Sequence, residues 1–120
     1  MYGGISYYLP ALVGPAKALE LMYTGDIIDA REGERIGLFS KVVPHEELLK
    51  EAKELARRIA AAPPMVLAHT KRQVYKAPQN DLMTHLMLEA FALGEVRKSE
   101  DAREGFRAFL EKRDPVYQGR

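Results

Sequence analysis

A mainly α-helical fold with one or two short strands near its beginning is what this sequence predicts. Apolar residues recur at intervals of three and four along most of the 120 residues. Prolines and glycines punctuate those runs where helices start and stop, and only 38–43 has the look of a genuine strand.

The elements follow in order. Gly3-Gly4 precedes an apolar helix, and Gly14-Pro15 opens a second segment in which Ala18, Leu19, Leu21 and Met22 keep helical spacing up to Gly25. Residues 26–30 form a brief extended piece, after which Asp29 caps a helix through Glu32 and Arg35 that stops at Gly37. The strand over 38–43 needs a sheet to join. Pro44, Glu46 and Glu47 suit a helix start, and Leu48, Ala52, Leu55 and Ile59 give the clearest amphipathic pattern in the chain. Pro63-Pro64 interrupts that helix and begins another, carrying Val66, Leu67 and Val74 as far as Pro78, so the two are expected to form a hairpin. Asp81 caps a long helix whose stripe, Leu82, Met83, Leu86, Met87, Phe91 and Leu93, is wide enough to predict burial on two sides. Ser99 caps the last helix, with Glu100 and Asp101 in its first turn, Phe106, Phe109 and Leu110 on one face, and Pro115 beyond its end.

Composition narrows the class of function. The chain is 47% hydrophobic and 29% charged, which suits one soluble domain with a modest core. Eighteen basic against seventeen acidic residues leave a formal charge of +1, so no large field draws the chain to nucleic acid or to an anionic membrane. With no cysteine there is no disulfide, thiol nucleophile or thiolate metal site. The opening MYGGISYYLP lacks the pattern of a signal peptide, and no stretch reaches the roughly 18 apolar residues a membrane span needs, so a cytoplasmic location is the default expectation.

Single residues offer little chemistry. His45, His69 and His85 lack metal-ligand spacing, and His45-Glu46 is followed by Leu49 where a metalloprotease helix needs its second histidine, so no metal is expected. Ser6, Ser40 and Ser99 lack a nucleophile-elbow context. Lys71-Arg72 and Arg97-Lys98 suit solvated helix faces. Gly3-Gly4 suits a tight turn more than a phosphate loop. Asp26, Asp29, Glu32 and Glu34 lie close enough for an acid/base pair but stand where capping and helix-dipole roles are expected.

Function enters through resemblance. GGISYYLPALVG at 3–14, Ala18-Leu19-Glu20-Leu21 with Thr24-Gly25, residues 30–38 and Val42-Val43-Pro44 occur in the order found in the enoyl-CoA hydratase/isomerase, or crotonase, family. Ser99, Asp101, Glu104-Gly105 and Ala108 to Arg113 with Pro115 are similar to that family's last helix, so the likeness covers essentially the whole chain. The resemblance implies that residues 1–43 close a crotonase-type ββα spiral and that residues 44–120 form the helical region that drives assembly into trimers, often paired as hexamers. It implies an acyl-CoA substrate, with hydration of a 2-enoyl-CoA as the parent reaction and coenzyme A as part of the substrate rather than a cofactor. Isomerisation and thioester hydrolysis use the same enolate stabilisation.

The family's two oxyanion donors and its acid/base carboxylates lie upstream of the matching segment, so no residue here is assigned to catalysis. What carries over is contact with coenzyme A. Lys112 corresponds to a lysine near the adenine and 3′-phosphate of a neighbouring subunit's CoA, and Leu93 to an apolar residue against adenine. Ile5 and Tyr8 fall near the acyl pocket, where packing within the helix explains them equally well, and Lys112 is equally explicable as a solvated lysine. The alternative is a non-catalytic helical module that associates through Leu82 to Leu93, with itself or with a separate N-terminal half.

Overall fold

The structure, a computed structural model, describes residues 3–120. The chain divides into two compact units, Met1–Leu48 and Leu49–Arg120.

The first unit holds α1 (Ile5–Val13), α2 (Pro15–Thr24) and α3 (Ala30–Arg35), with α1 packed on α2 around buried Leu9 and Ala18. Gly3 and Gly4 both have positive φ, which an L side chain adopts only with strain, and the Gly4 carbonyl accepts the first α1 bonds from Tyr7 and Tyr8. The glycine pair is therefore a turn that launches a helix. Asp29 caps α3 by accepting the Glu32 N–H at 2.8 Å. At the other end Leu38 N–H bonds the Gly33 carbonyl and Gly37 N–H that of Glu34, a Schellman stop with Gly37 at φ 80°. Phe39 then folds back so that its ring lies where a Cβ on Gly33 would stand, 2.6 Å away. Glu32 holds Arg35 through two bonds of 2.6 and 2.7 Å and reaches Lys17 at 3.6 Å, which ties α3 to α2.

The strand expected at 38–43 does not form, nor does the extended piece at 26–30 pair with anything: the described residues contain no strand. A strand exists only as one side of a ladder, and here the segment has none to join. Its backbone is used otherwise, with Val42 N–H donating to Glu34 at 3.0 Å.

A single 3₁₀ turn, His45–Glu47, leads into α4 (Leu48–Ala60). The second unit continues with α5 (Pro64–Lys76), α6 (Leu82–Lys98) and α7 (Glu100–Glu111). Close packing runs from α5 to α6 and from α6 to α7, and the hairpin expected between α4 and α5 is not among these pairs. The amphipathic pattern of α4 is as read, yet the helix buries no residue, and Leu48, Leu49, Leu55 and Ile59 stay exposed. The two-sided burial expected of α6 is likewise absent within the chain, where Ala92 alone of its residues is buried. Both caps form as read: Asp81 accepts from Thr84 N–H at 2.9 Å and from its hydroxyl at 2.6 Å, and Ser99 accepts from Ala102 N–H at 3.0 Å.

The carboxyl-terminal tail returns along α7. Asp101, only 3% exposed, accepts from Gln118 N–H at 2.7 Å and Gly119 N–H at 2.8 Å, while its own N–H donates to the Arg120 carbonyl at 3.0 Å. Tyr117 rests against Gly105, and Gly119 against Pro64. Charge-assisted bonds to a buried carboxylate are among the stronger polar interactions available to a small unit. Asp101→Asn turns one acceptor into an NH₂ that faces a backbone N–H, so it should cost about 1–3 kcal/mol. The expected result is a melting temperature lower by several degrees and faster hydrogen exchange at Gln118 and Gly119, with the α3 amides unchanged.

Candidate functional site

The two residues singled out by resemblance, Leu93 and Lys112, lie in the second unit, Leu93 on α6 and Lys112 at the end of α7, which packs on α6. Leu93 lies on an apolar groove of about 460 Å³ between α5 and α6, where Val66, His69, Gln73 and Leu86 also contribute. Gln73 crosses that seam to donate to the Leu88 carbonyl at 3.4 Å. A second apolar groove, again about 460 Å³, runs beside α7 past Met65, Phe106, Phe109 and Tyr117. Val66 and Val96 line both, so the two grooves meet. Lys112 stands one helical turn beyond Phe109 and is exposed.

Charge around the end of α7 is arranged by Arg113. Its guanidinium grips Glu104 through bonds of 2.5 and 2.9 Å and donates to Glu111 at 2.6 Å, while Glu104 also accepts from Val116 N–H at 3.1 Å. These contacts, the Arg113 fork first and the Val116 N–H next, hold the Glu104 carboxyl at about 2, well below the ordinary glutamate value, and push the Arg113 guanidinium further up.

Ile5 and Tyr8 lie in the first unit, on α1, and both are exposed. The Tyr8 ring meets that of Tyr7 edge-on at 5.2 Å. The pocket between α1 and α2 is lined by Ser6, Pro10, Pro15, Leu19, Met22 and Tyr23 instead. The acidic cluster has structural duties: Asp29 caps α3, Glu32 pairs with Arg35 and Lys17, and Glu34 receives Val42 N–H. Among the described residues, no three His, Asp or Glu side chains gather as a metal site would require. His85 stands between Asn80 at 3.4 Å and Glu89 at 3.7 Å.

The sequence pattern places Asp101 in the first turn of α7 and Phe106 and Phe109 on one of its faces, but it shows neither the clamp that Asp101 and Glu104 make on the tail nor the place of Tyr117 on the groove. Acids in the first turn of a helix have a sufficient explanation in the helix dipole. The one available signal was that Glu104 lies a turn beyond that need and has Arg113 nine residues on.

The helical, strand-free arrangement of the described residues is consistent with the C-terminal helical part of the crotonase fold. The sequence profile described as enoyl-CoA hydratase/isomerase matches residues 2–120. The chain belongs to that family. A crotonyl-CoA hydratase of Syntrophomonas wolfei is 43% identical over 112 residues, which are 93% of this chain and 43% of that protein. A short-chain-enoyl-CoA hydratase of Clostridium acetobutylicum is 38% identical over 93% of this chain and 42% of its own length. The crystal structure of an enoyl-CoA hydratase from Bacillus anthracis superposes with a TM-score of 0.94 at 39% identity, covering 98% of this chain and 45% of that one. The chain thus spans less than half the length of these relatives.

The Glu104 clamp has a pH signature. Because the folded carboxyl is held below its ordinary value, its stabilising effect is full above pH 4.5 and is lost as pH falls toward about 2. An NMR titration of the Val116 amide should show a midpoint near 2; a midpoint at the ordinary 4.5 would mean that the clamp does not form in solution.

Proposed function

We propose that this chain is the C-terminal part of an enzyme acting on acyl-CoA thioesters, whose parent reaction is hydration of a 2-enoyl-CoA through an oxyanion-stabilised enolate. The observation that carries this reading is the family match along the whole chain, together with relatives named for that hydration. In this reading the oxyanion donors and the acid/base carboxylates belong to the family's upstream segment, and this chain supplies binding surface.

Lys112 then offers a point charge to a phosphate of a neighbouring subunit's coenzyme A, and Leu93 an apolar side chain to the adenine. Ile5 and Tyr8 border the acyl pocket. Exposure of Lys112, and the position of Leu93 on an apolar groove, support these roles. A trimer, alone or doubled into a hexamer, is the matching assembly, with Phe109 at 82% exposure and Leu110 at 80% as surfaces it would cover.

A second reading, a non-catalytic module that associates with itself or with a separate N-terminal half, is favoured by the open apolar faces of α4 and α6. Hydration of crotonyl-CoA, followed as loss of the conjugated thioester absorbance, tests the assignment. The purified chain is expected to give no turnover above the uncatalysed rate while a full-length family member is active. Turnover by this chain would overturn the placement of every catalytic group upstream.

A further inference from the structure

The residue that ends α7 is in the left-handed region, and it is a lysine. Among the described residues other than glycine, Lys112 alone has a positive φ, 53° with ψ 43°. Its surroundings form a Schellman stop: Lys112 N–H bonds the Phe109 carbonyl at 3.3 Å and Arg113 N–H that of Ala108 at 3.1 Å. Glycine is the usual residue at this place because a Cβ crowds the neighbouring carbonyl, and α2 and α3 do use Gly25 and Gly37 for their left-handed stops. Backbone preference therefore does not account for a lysine here.

Nor does an ion pair. Among the described residues the Lys112 ammonium has no carboxylate partner, and Arg113 engages both Glu104 and Glu111. What remains is a cationic side chain held outward at a cost in backbone strain, and strain of this kind gathers where a side chain has a task.

The chain on both sides of Lys112 is fastened. Glu111 before it and Arg113 after it are bonded to each other, Arg113 forks onto Glu104 one face back along α7, and Glu104 also takes the N–H of Val116. The Arg113 guanidinium further donates to the Asp114 carbonyl at 3.1 Å. A lysine on a loose tail would have to be ordered when it met a ligand; this backbone is already ordered.

We propose that Glu104 and Arg113 are positioning residues, fixing the left-handed Lys112 so that its ammonium meets the 3′-phosphate of coenzyme A. The inference rests on Lys112 being a coenzyme A contact, and its test separates the two claims. The full chain is titrated calorimetrically with coenzyme A and with 3′-dephospho-coenzyme A. The unmodified chain should prefer the phosphorylated ligand by about tenfold, the order expected of one charge-assisted contact.

Lys112→Gly should abolish that preference while raising the melting temperature by a few degrees, since glycine relieves the strain. Glu104→Gln should keep the lysine yet shrink the preference severalfold. Arg113→Lys, which keeps the charge but loses the fork, should do the same and stands in should Glu104→Gln fail to fold. If Lys112→Gly abolishes the preference but both clamp variants retain it, lowering both affinities together or neither, the clamp is merely structural and the positioning claim is overturned while the phosphate contact stands. If the unmodified chain shows no preference, or binds neither ligand, the phosphate contact falls and the positioning claim with it.

Discussion

Among the described residues, the buried apolar side chains are Leu9, Ala18, Ala92 and Ala108, and every other feature of this chain depends on how small that set is. Burial of a leucine-sized side chain contributes about 1.5–3 kcal/mol, and an alanine much less. Isolated helices of the lengths seen here, 6 to 17 residues, are marginal in water without packing. The local devices therefore carry an unusual share of the order: the Asp29, Asp81 and Ser99 caps, the Schellman stops after α3 and α7, and the Glu32–Arg35 fork. The larger apolar groups on α4, α6 and α7 are arranged as faces, and those faces stay open.

The tail is the exception to this looseness. Asp101 and Glu104, three residues apart on α7, bind four chain positions between 113 and 120 by short charge-assisted bonds. The same network engages Glu104 and Glu111 through Arg113 and leaves Lys112 without an ion pair among the described residues. In this region stability and the proposed ligand contact share one set of bonds. Its glutamate is accordingly the carboxyl most strongly lowered by its surroundings among the described residues.

Much of the helical layout was legible in the sequence because its signals are local. Gly14-Pro15, Asp29, Pro63-Pro64, Asp81 and Ser99 mark boundaries through chemistry that acts within four residues, and helices begin or end at each. What depended on distant partners was not legible. Residues 38–43 have strand-like composition but no neighbour to pair with, and α4 has a hairpin-like position without the packing. The stripe of α6 predicts burial on two sides, and within this chain its large apolar residues stay exposed. Lys112 and Leu93 were singled out only through resemblance, since an exposed lysine and a helical leucine carry no signal alone. The Asp101 and Glu104 clamp was invisible because its partners lie nine to eighteen residues away on a segment without periodicity.

The central claim is that the open apolar faces are association surfaces, and sedimentation velocity of the purified chain across a wide concentration range addresses it most directly. The account predicts species heavier than the 13.5 kDa monomer, growing with concentration and weakened when exposed Phe109 and Leu110 are replaced by serine. A single well-behaved monomer at every concentration would contradict it, since such a chain would be at equilibrium with its apolar faces in water.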